Sequence, residues 1–256
     1  ASIRSNVTAV KPLSRHRRKS LWTMAVGAMC LLAACVTDSS YRILNNLYPV
    51  NACYNLCLAV DRSWVSAHYK ETSADFRFHS RSTHPADSVE VYVMVIGETA
   101  RAHNFGLYGY GRNTTPLLGK TNGIVAFNNA VTQSNTTHKS VPMLLSAATA
   151  DDYSRLYHEQ SILSAFREAG FFTAFFSNQL PNHSFIDFLG EQADTCVFLK
   201  KQTKKKINVY DGELLSMVSR LLSHGRRKVF VVLHTYGSHF EYRERYPKSM
   251  AYYRPD

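Results

Sequence analysis

The sequence predicts an α/β fold with a mostly parallel sheet flanked by helices and preceded by a transmembrane helix. Three observations predict it. Short runs of apolar β-formers at residues 91–96, 171–176 and 228–235 each end in polar residues. Amphipathic helical patterns at 161–169 and 211–222 alternate with those runs, and such alternation builds a parallel sheet covered on both faces. An uncharged run at 21–36 follows the basic cluster Arg15-His16-Arg17-Arg18-Lys19.

Taken in order, residues 1–20 are polar and basic, and the apolar run reaches about the 20 residues that a spanning helix needs once Ser20 and Thr37 extend it. The basic flank stays on the cytoplasmic side, which puts everything after residue 40 outside. Two other readings stay open: a signal peptide, with a lipoprotein-like Leu32-Ala33-Ala34-Cys35, and a buried core helix. Residues 41–70 carry aromatic and aliphatic side chains at mixed helical spacing, broken by Pro49. They suit helices on a membrane interface or helices packed on the following domain. Residues 71–87 turn polar and read as an extended linker.

The run 91–96 has no polar alternation and is expected to be buried on both faces, with Gly97 closing it. Ligands of open α/β sheets bind beyond the carboxyl ends of strands, so Glu98 and Thr99 stand where chemistry is usually placed. Residues 124–127 look like a second short strand, and 133–146 open a helix whose Ser and Thr residues are natural caps. Gly170 stops the helix at 161–169, and Ser177-Asn178-Gln179 follows the next strand.

Composition narrows the function. The 256 residues, 45% apolar, are enough for one good-sized core, and the formal net charge of +11 suits an anionic partner. Much of that charge lies in Arg15–Lys19 and in a second run at 200–206, read as a solvated loop. No nucleic-acid-binding signature is present. Among the five cysteines there is no Cys-x-x-Cys, and Cys53 and Cys57 are close enough in sequence to pair if they lie outside the cytoplasm.

Three segments in order carry a resemblance: Gly97-Glu98-Thr99-x-Arg101, then Gly106-x-Tyr108-Gly109-Tyr110-x-Arg112-x-Thr114-Thr115-Pro116, then Thr137-x-x-Ser140-Val141-Pro142. Together they resemble the phosphoethanolamine transferases that modify lipid A and related envelope glycans, members of the alkaline phosphatase/sulfatase superfamily. The resemblance covers roughly residues 41–256. It implies an alkaline-phosphatase/sulfatase-like sheet and an organisation of four parts: a basic cytoplasmic segment (1–18), a transmembrane helix (19–40), interfacial helices and linker (41–85), and the N-terminal part of a periplasmic catalytic domain (86–256).

The resemblance also implies roles. Glu98 is a zinc ligand, and Thr137 is both metal-bound and the nucleophile, at a helix start where amide N–H groups can hold a phosphate. His239, in His234-Thr235-Tyr236-Gly237-Ser238-His239, donates to phosphate, with His234 structural. Asn178 contacts the phosphoethanolamine group, although Asn182 and His183 stand where the family often has a Lys. Arg101 and Arg112 read either as phosphate clamps or as ion-paired structural residues. The family completes its zinc site with an Asp-His-Gly-Glu segment and a later histidine, and this sequence reaches Asp256 without them, so it is expected to be incomplete at both ends and, as it stands, to bind zinc poorly and transfer nothing.

The implied reaction takes phosphoethanolamine from phosphatidylethanolamine onto Thr137 and passes it to lipid A or another glycan at the bacterial inner membrane. Alternatives are a sulfatase- or phosphatase-like hydrolase, whose Cys-x-P-x-R or Ser-x-P-x-R segment is missing, and a non-catalytic envelope protein on the same fold.

Overall fold

The computed structural model describes residues 15–38, 40–202 and 209–253. The chain divides into two units, Ala1–Trp64 and Val65–Asp256.

The first unit is helical. Helix α1 (Arg15–Thr37) is 23 residues long with no buried residue, and it is long and apolar enough to cross a membrane; at 1.5 Å per residue it extends about 35 Å. Helix α2 (Ile43–Asn46) is a single turn, and α3 (Val50–Ala67) starts beyond Pro49, the expected break. Cys53 and Cys57 stand one turn apart on α3 as exposed free thiols.

The second unit holds the sheet. Helix α4 (Tyr69–Thr72) leads into the linker, and then come β1 (Glu90–Ile96), α5 (Thr137–Leu145), α6 (Ile162–Glu168), β2 (Phe172–Ser177), α7 (Phe185–Gly190), β3 (Thr195–Phe198), α8 (Leu199–Gln202), α9 (Gly212–Leu222) and β4 (Lys228–His234). The strands lie in the order β1-β4-β2-β3, all parallel. The single-residue alternation of β4 sorts its side chains: Phe230 and Val232 enter one core with Phe175, Leu145, Leu163 and Leu189, while Val229, Val231 and Leu233 enter another with Leu214 and Leu221 of α9. Both cores press on the central strands, which makes the expected three layers. Gly190 lets α7 lie on the sheet, since a Cβ there would sit 2.6 Å from the Phe175 ring.

Three expectations need correction. Strand β1 is an edge strand, and among the described residues one of its faces is bare: Met94 and Ile96 pack inward and the part-exposed Tyr92 ring meets Phe166 and Phe171, but Val91, Val93 and Val95 are 41–62% exposed. The apolar run is what a doubly covered strand requires, yet α9 covers β2 and β4 and leaves this face of β1 open. Residues 124–127 form no strand; Val125 and Phe127 are 73% and 71% exposed. A four-residue β-prone run becomes a strand only where an edge is available to pair with it. The lysine-rich loop lies partly outside the described residues, and its described end, Lys200, is not simply solvated: its Nζ sits 3.0 Å over the Tyr236 ring.

The sequence missed β3 and α7. The linker is polar, as expected, but strapped down. Glu168 accepts from the amides of Phe78 and Ser80 at 3.1 and 3.2 Å, and Glu90 meets Lys228 at 3.0 Å and His84 at 2.8 Å.

Candidate active site at the carboxyl end of the sheet

The ends of β1, β4 and β2 are stitched together just past the ladder. The Thr235 amide donates to Ile96 O at 3.0 Å, and the Asn178 amide donates to His234 O at 2.9 Å. Here a cavity of about 480 Å³ opens between the end of β1 and the start of α5, lined by Glu98, Thr99, Arg101, Thr136, Thr137 and Ser140 among others.

Glu98 is its centre. Its Oε1 accepts from Thr99 Oγ1 at 2.8 Å, and its Oε2 accepts from Thr137 Oγ1 at 2.9 Å and Gln179 Nε2 at 3.2 Å. Burial alone would raise the Glu98 pKa. The hydrogen bonds from Thr99, Thr137 and Gln179, with the charge of His239, outweigh it and hold the carboxyl below its ordinary range. Thr99 bends back over the carboxylate with φ of 52°, a left-handed conformation uncommon for a β-branched residue. The backbone of Glu98 is clamped as well, since Ser238 N donates to its carbonyl at 3.1 Å and a Cβ on Gly237 would lie 2.6 Å from that oxygen.

Thr137 is the first residue of α5, and Thr136 is the cap position. The neighbours have separate partners: Thr137 reaches Glu98, whereas the Thr136 hydroxyl lies 3.3 Å from Ser134 Oγ. Among the described residues the amides of Thr137 and His138 carry no hydrogen bond, so the helix start is open to an anion.

Gln179 and Asp211 were not singled out from the sequence. Gln179 Nε2 ties Glu98 to Nε2 of His234 at 3.1 Å and to Thr235 O at 3.0 Å. Burial pushes the His234 pKa down to about 4 against the opposing pull of Glu98 and Asp211, so its ring is neutral at pH 7 and its Nε2 accepts. Asp211, just before α9, accepts from Tyr236 N at 2.8 Å, Gly237 N at 2.9 Å and Asn178 Nδ2 at 2.8 Å. It shapes the loop that carries His239, whose ring stacks on Tyr236 at 4.9 Å. Its only sequence signal is an acidic residue before an amphipathic helix, which most such residues share.

The expected site residues divide accordingly. Glu98 and Thr137 are in contact, and the half-buried His239 is near enough for its charge to act on Glu98. Asn178 is 1% exposed, and its amide is spent on Val209 O at 2.9 Å and on Asp211. Arg112 lies over the Tyr253 ring, 5.1 Å from its centroid, and Arg101 lines the cavity with no ion pair among the described residues.

The donor set is small for a metal site. Zinc in a catalytic site takes three protein ligands, and Glu98 with Thr137 supplies two donors. Among the described residues no three His, Cys, Asp or Glu side chains are grouped to hold an ion. By themselves these residues do not fit zinc.

The sulfatase family matches residues 90–256, most of the chain. The chain belongs to the sulfatase family. Within it, the chain is homologous to envelope phosphoethanolamine transferases. It is 28% identical over 175 residues to phosphoethanolamine transferase CptA of Salmonella typhimurium, covering 66% of this chain and 30% of that protein. The Kdo(2)-lipid A phosphoethanolamine 7''-transferase of the same organism is 28% identical over 176 residues, covering 67% and 31%. This chain therefore spans about a third of the length of these relatives. Among solved structures, the zinc complex of the C-terminal periplasmic domain of EcEptC from Escherichia coli superposes with a TM-score of 0.59 at 28% identity, over 64% of this chain and 48% of that one.

Proposed function

We propose that the chain carries the nucleophile-bearing part of a phosphoethanolamine transferase. The observation that supports this most is the Thr137 hydroxyl donating to the Glu98 carboxylate at 2.9 Å inside the cavity, beyond the carboxyl end of the sheet. A hydroxyl is a weak nucleophile until its proton is drawn away. Glu98 accepts the hydrogen bond from that hydroxyl and so stands where the proton can be passed as Oγ1 attacks.

The proposed reaction is two displacements. Thr137 Oγ1 attacks the phosphorus of phosphatidylethanolamine, the Thr137 O–H bond breaks, and diacylglycerol leaves with a proton on its oxygen. A hydroxyl or phosphate oxygen of lipid A or another envelope glycan then attacks the same phosphorus, the Thr137 Oγ1–P bond breaks, and Oγ1 regains a proton from the acceptor hydroxyl or, for an ionised phosphate, from water. His239 donates to the phosphoryl oxygens, and Asn178, whose amide is held by Val209 O and Asp211 while its Oδ1 has no partner among the described residues, is the residue proposed at the phosphoethanolamine group. Zinc belongs to this proposal as the metal that would draw off the hydroxyl proton, with Glu98 and Thr137 as two of the ligands it would need, and among the described residues no group of three His, Cys, Asp or Glu side chains stands by to complete the set. The name and bound metal of the E. coli relative support that choice.

The proposed placement is the bacterial inner membrane, with 1–18 cytoplasmic, 19–40 spanning, 41–85 an interfacial and linker region, and 86–256 in the periplasm. The helix α1 and the similarity to a periplasmic domain support it. A topology reporter fused after residue 70 should be active in its periplasmic form only.

Mass spectrometry of the full-length gene product, expressed in bacterial membranes, tests the chemistry. A phosphoethanolamine adduct is expected on Thr137, lost in Thr137→Ala and kept in Thr136→Ala. An adduct on Thr99, Thr136 or Ser140, or lipid turnover unchanged in Thr137→Ala, overturns the assignment. Reading the coding sequence past Asp256 for Asp-His-Gly-Glu tests the zinc ligands.

A further inference from the structure

We propose that Arg101 is a phosphodiester-binding residue, its guanidinium taking two oxygens of the donor lipid's phosphate in the cavity that holds Thr137. It deepens the functional reading, on which the choice of a lipid diester rests.

Arg101 is the cation among the residues lining this cavity, and Glu98 is the anion. The two charges do not cancel. No ion pair joins them, and both Glu98 oxygens already accept from Thr99, Thr137 and Gln179. Five other arginines of the second unit are occupied: Arg155 pairs with Glu159, Arg167 bonds Gln192 O, Arg226 lies over Phe172, Arg227 bonds Asp87 O, and Arg245 bonds Phe240 O. The Arg101 side chain, by contrast, is exposed and makes no hydrogen bond among the described residues.

Its position is set close to the chemistry. Arg101 follows Glu98 by three residues, its backbone is extended with φ of −96°, and its carbonyl accepts from Asn104 N at 2.9 Å to begin a single 3-10 turn. The side chain starts from a fixed point at the cavity rim. A guanidinium is planar and always charged, and its paired N–H groups match two oxygens of one phosphate. A volume of about 480 Å³ is in the range of small-molecule sites, so a headgroup fits while acyl chains stay outside.

Titration calorimetry on the 256-residue chain in detergent, with sn-glycero-3-phosphoethanolamine, inorganic phosphate and ethanolamine as probes, tests this. The diester should bind the wild type, about tenfold or more weakly Arg101→Ala, and at an intermediate level Arg101→Lys, which keeps the charge without the fork. Ethanolamine should bind no variant differently. Circular dichroism checks that each variant is folded, and the exposure of Arg101 makes that the expected result.

Equal affinity of wild type and Arg101→Ala for the diester overturns the proposal, as does a wild type that binds phosphate but not the diester. Thr137→Ala separates the two readings. Arg101-dependent diester binding with no adduct on Thr137 leaves this inference standing and removes the nucleophile. An adduct on Thr137 with diester binding indifferent to Arg101 does the reverse.

Discussion

Strand β1 begins and ends in a glutamate, and the two are used in opposite ways. Glu90, at the amino end, meets Lys228 at 3.0 Å and His84 at 2.8 Å and also accepts from Ser88 and Tyr92. Glu98, at the carboxyl end, accepts among the described residues from hydroxyl and amide donors, with the charge of His239 acting on it from farther off. Both carboxyls are held below their ordinary pKa, Glu90 at about 2 with the Ser88 hydrogen bond the largest cause, followed by His84 and Lys228. The lesson is in the partners. A carboxylate against a cation has its charge cancelled and serves as a strap for the linker. A carboxylate satisfied by neutral donors keeps its charge and directs a hydroxyl into an open cavity.

The largest expected effect is at the carboxyl end. Glu98→Gln keeps the shape but removes the charge, and its amide faces donors from Thr137 and Gln179. Adduct formation should fall by at least about a hundredfold, the scale of losing a positioned acid–base partner. Wild-type adduct yield in this variant would break the contrast between the two ends.

Acid should make the ends alike by charging His234 beside Gln179. With a folded pKa of about 4 against 6.5 unfolded, His234 binds its proton more readily in the unfolded chain. The stability this contributes is therefore present above about pH 6.5 and is lost as pH falls toward 4, on the order of 3 kcal/mol in all. Urea denaturation between pH 4 and 7 should show that slope, and His234→Asn should flatten it. A slope of the same size in the variant would assign it elsewhere.

The smallest effect is at the amino end. Glu90→Gln should lower the thermal midpoint modestly and leave adduct formation intact, because it releases Lys228 and His84 far from the cavity. The wild type's advantage should be present above about pH 4.5 and disappear as pH falls toward 2, the sign for a depressed carboxyl. Loss of the adduct in this variant would show that the linker strap reaches the site.

Much of the fold was readable because it is written in short-range periodicity. The apolar runs of β1, β2 and β4 and the amphipathic patterns of α6 and α9 each stand within one stretch of chain, and the structure places them within a residue or two of where they read. The helix start at α5 was legible from its Ser and Thr caps, whereas Thr137 itself was singled out by the motif resemblance. Its neighbours were not, and Gln179 reaches Glu98 across 81 residues of sequence while Asp211 reaches Asn178 across 33. A polar residue just past a strand looks the same whether or not it meets a partner.

The sequence by itself determined the parallel α/β class, the apolar α1, the ordered motif series and the pairing of a strand-end carboxylate with a helix-start threonine as the point of interest. Only the tertiary structure decided that, among the described residues, β1 is an edge with a bare face, residues 124–127 form no strand, the Asn178 amide nitrogen is used on Val209 O and Asp211, and Arg101 lines the cavity without an ion pair. Hydrophobic periodicity records which side chains leave water. Which groups then meet depends on strand order and on where each helix lands, and these are settled by packing across the whole sheet rather than by any one segment.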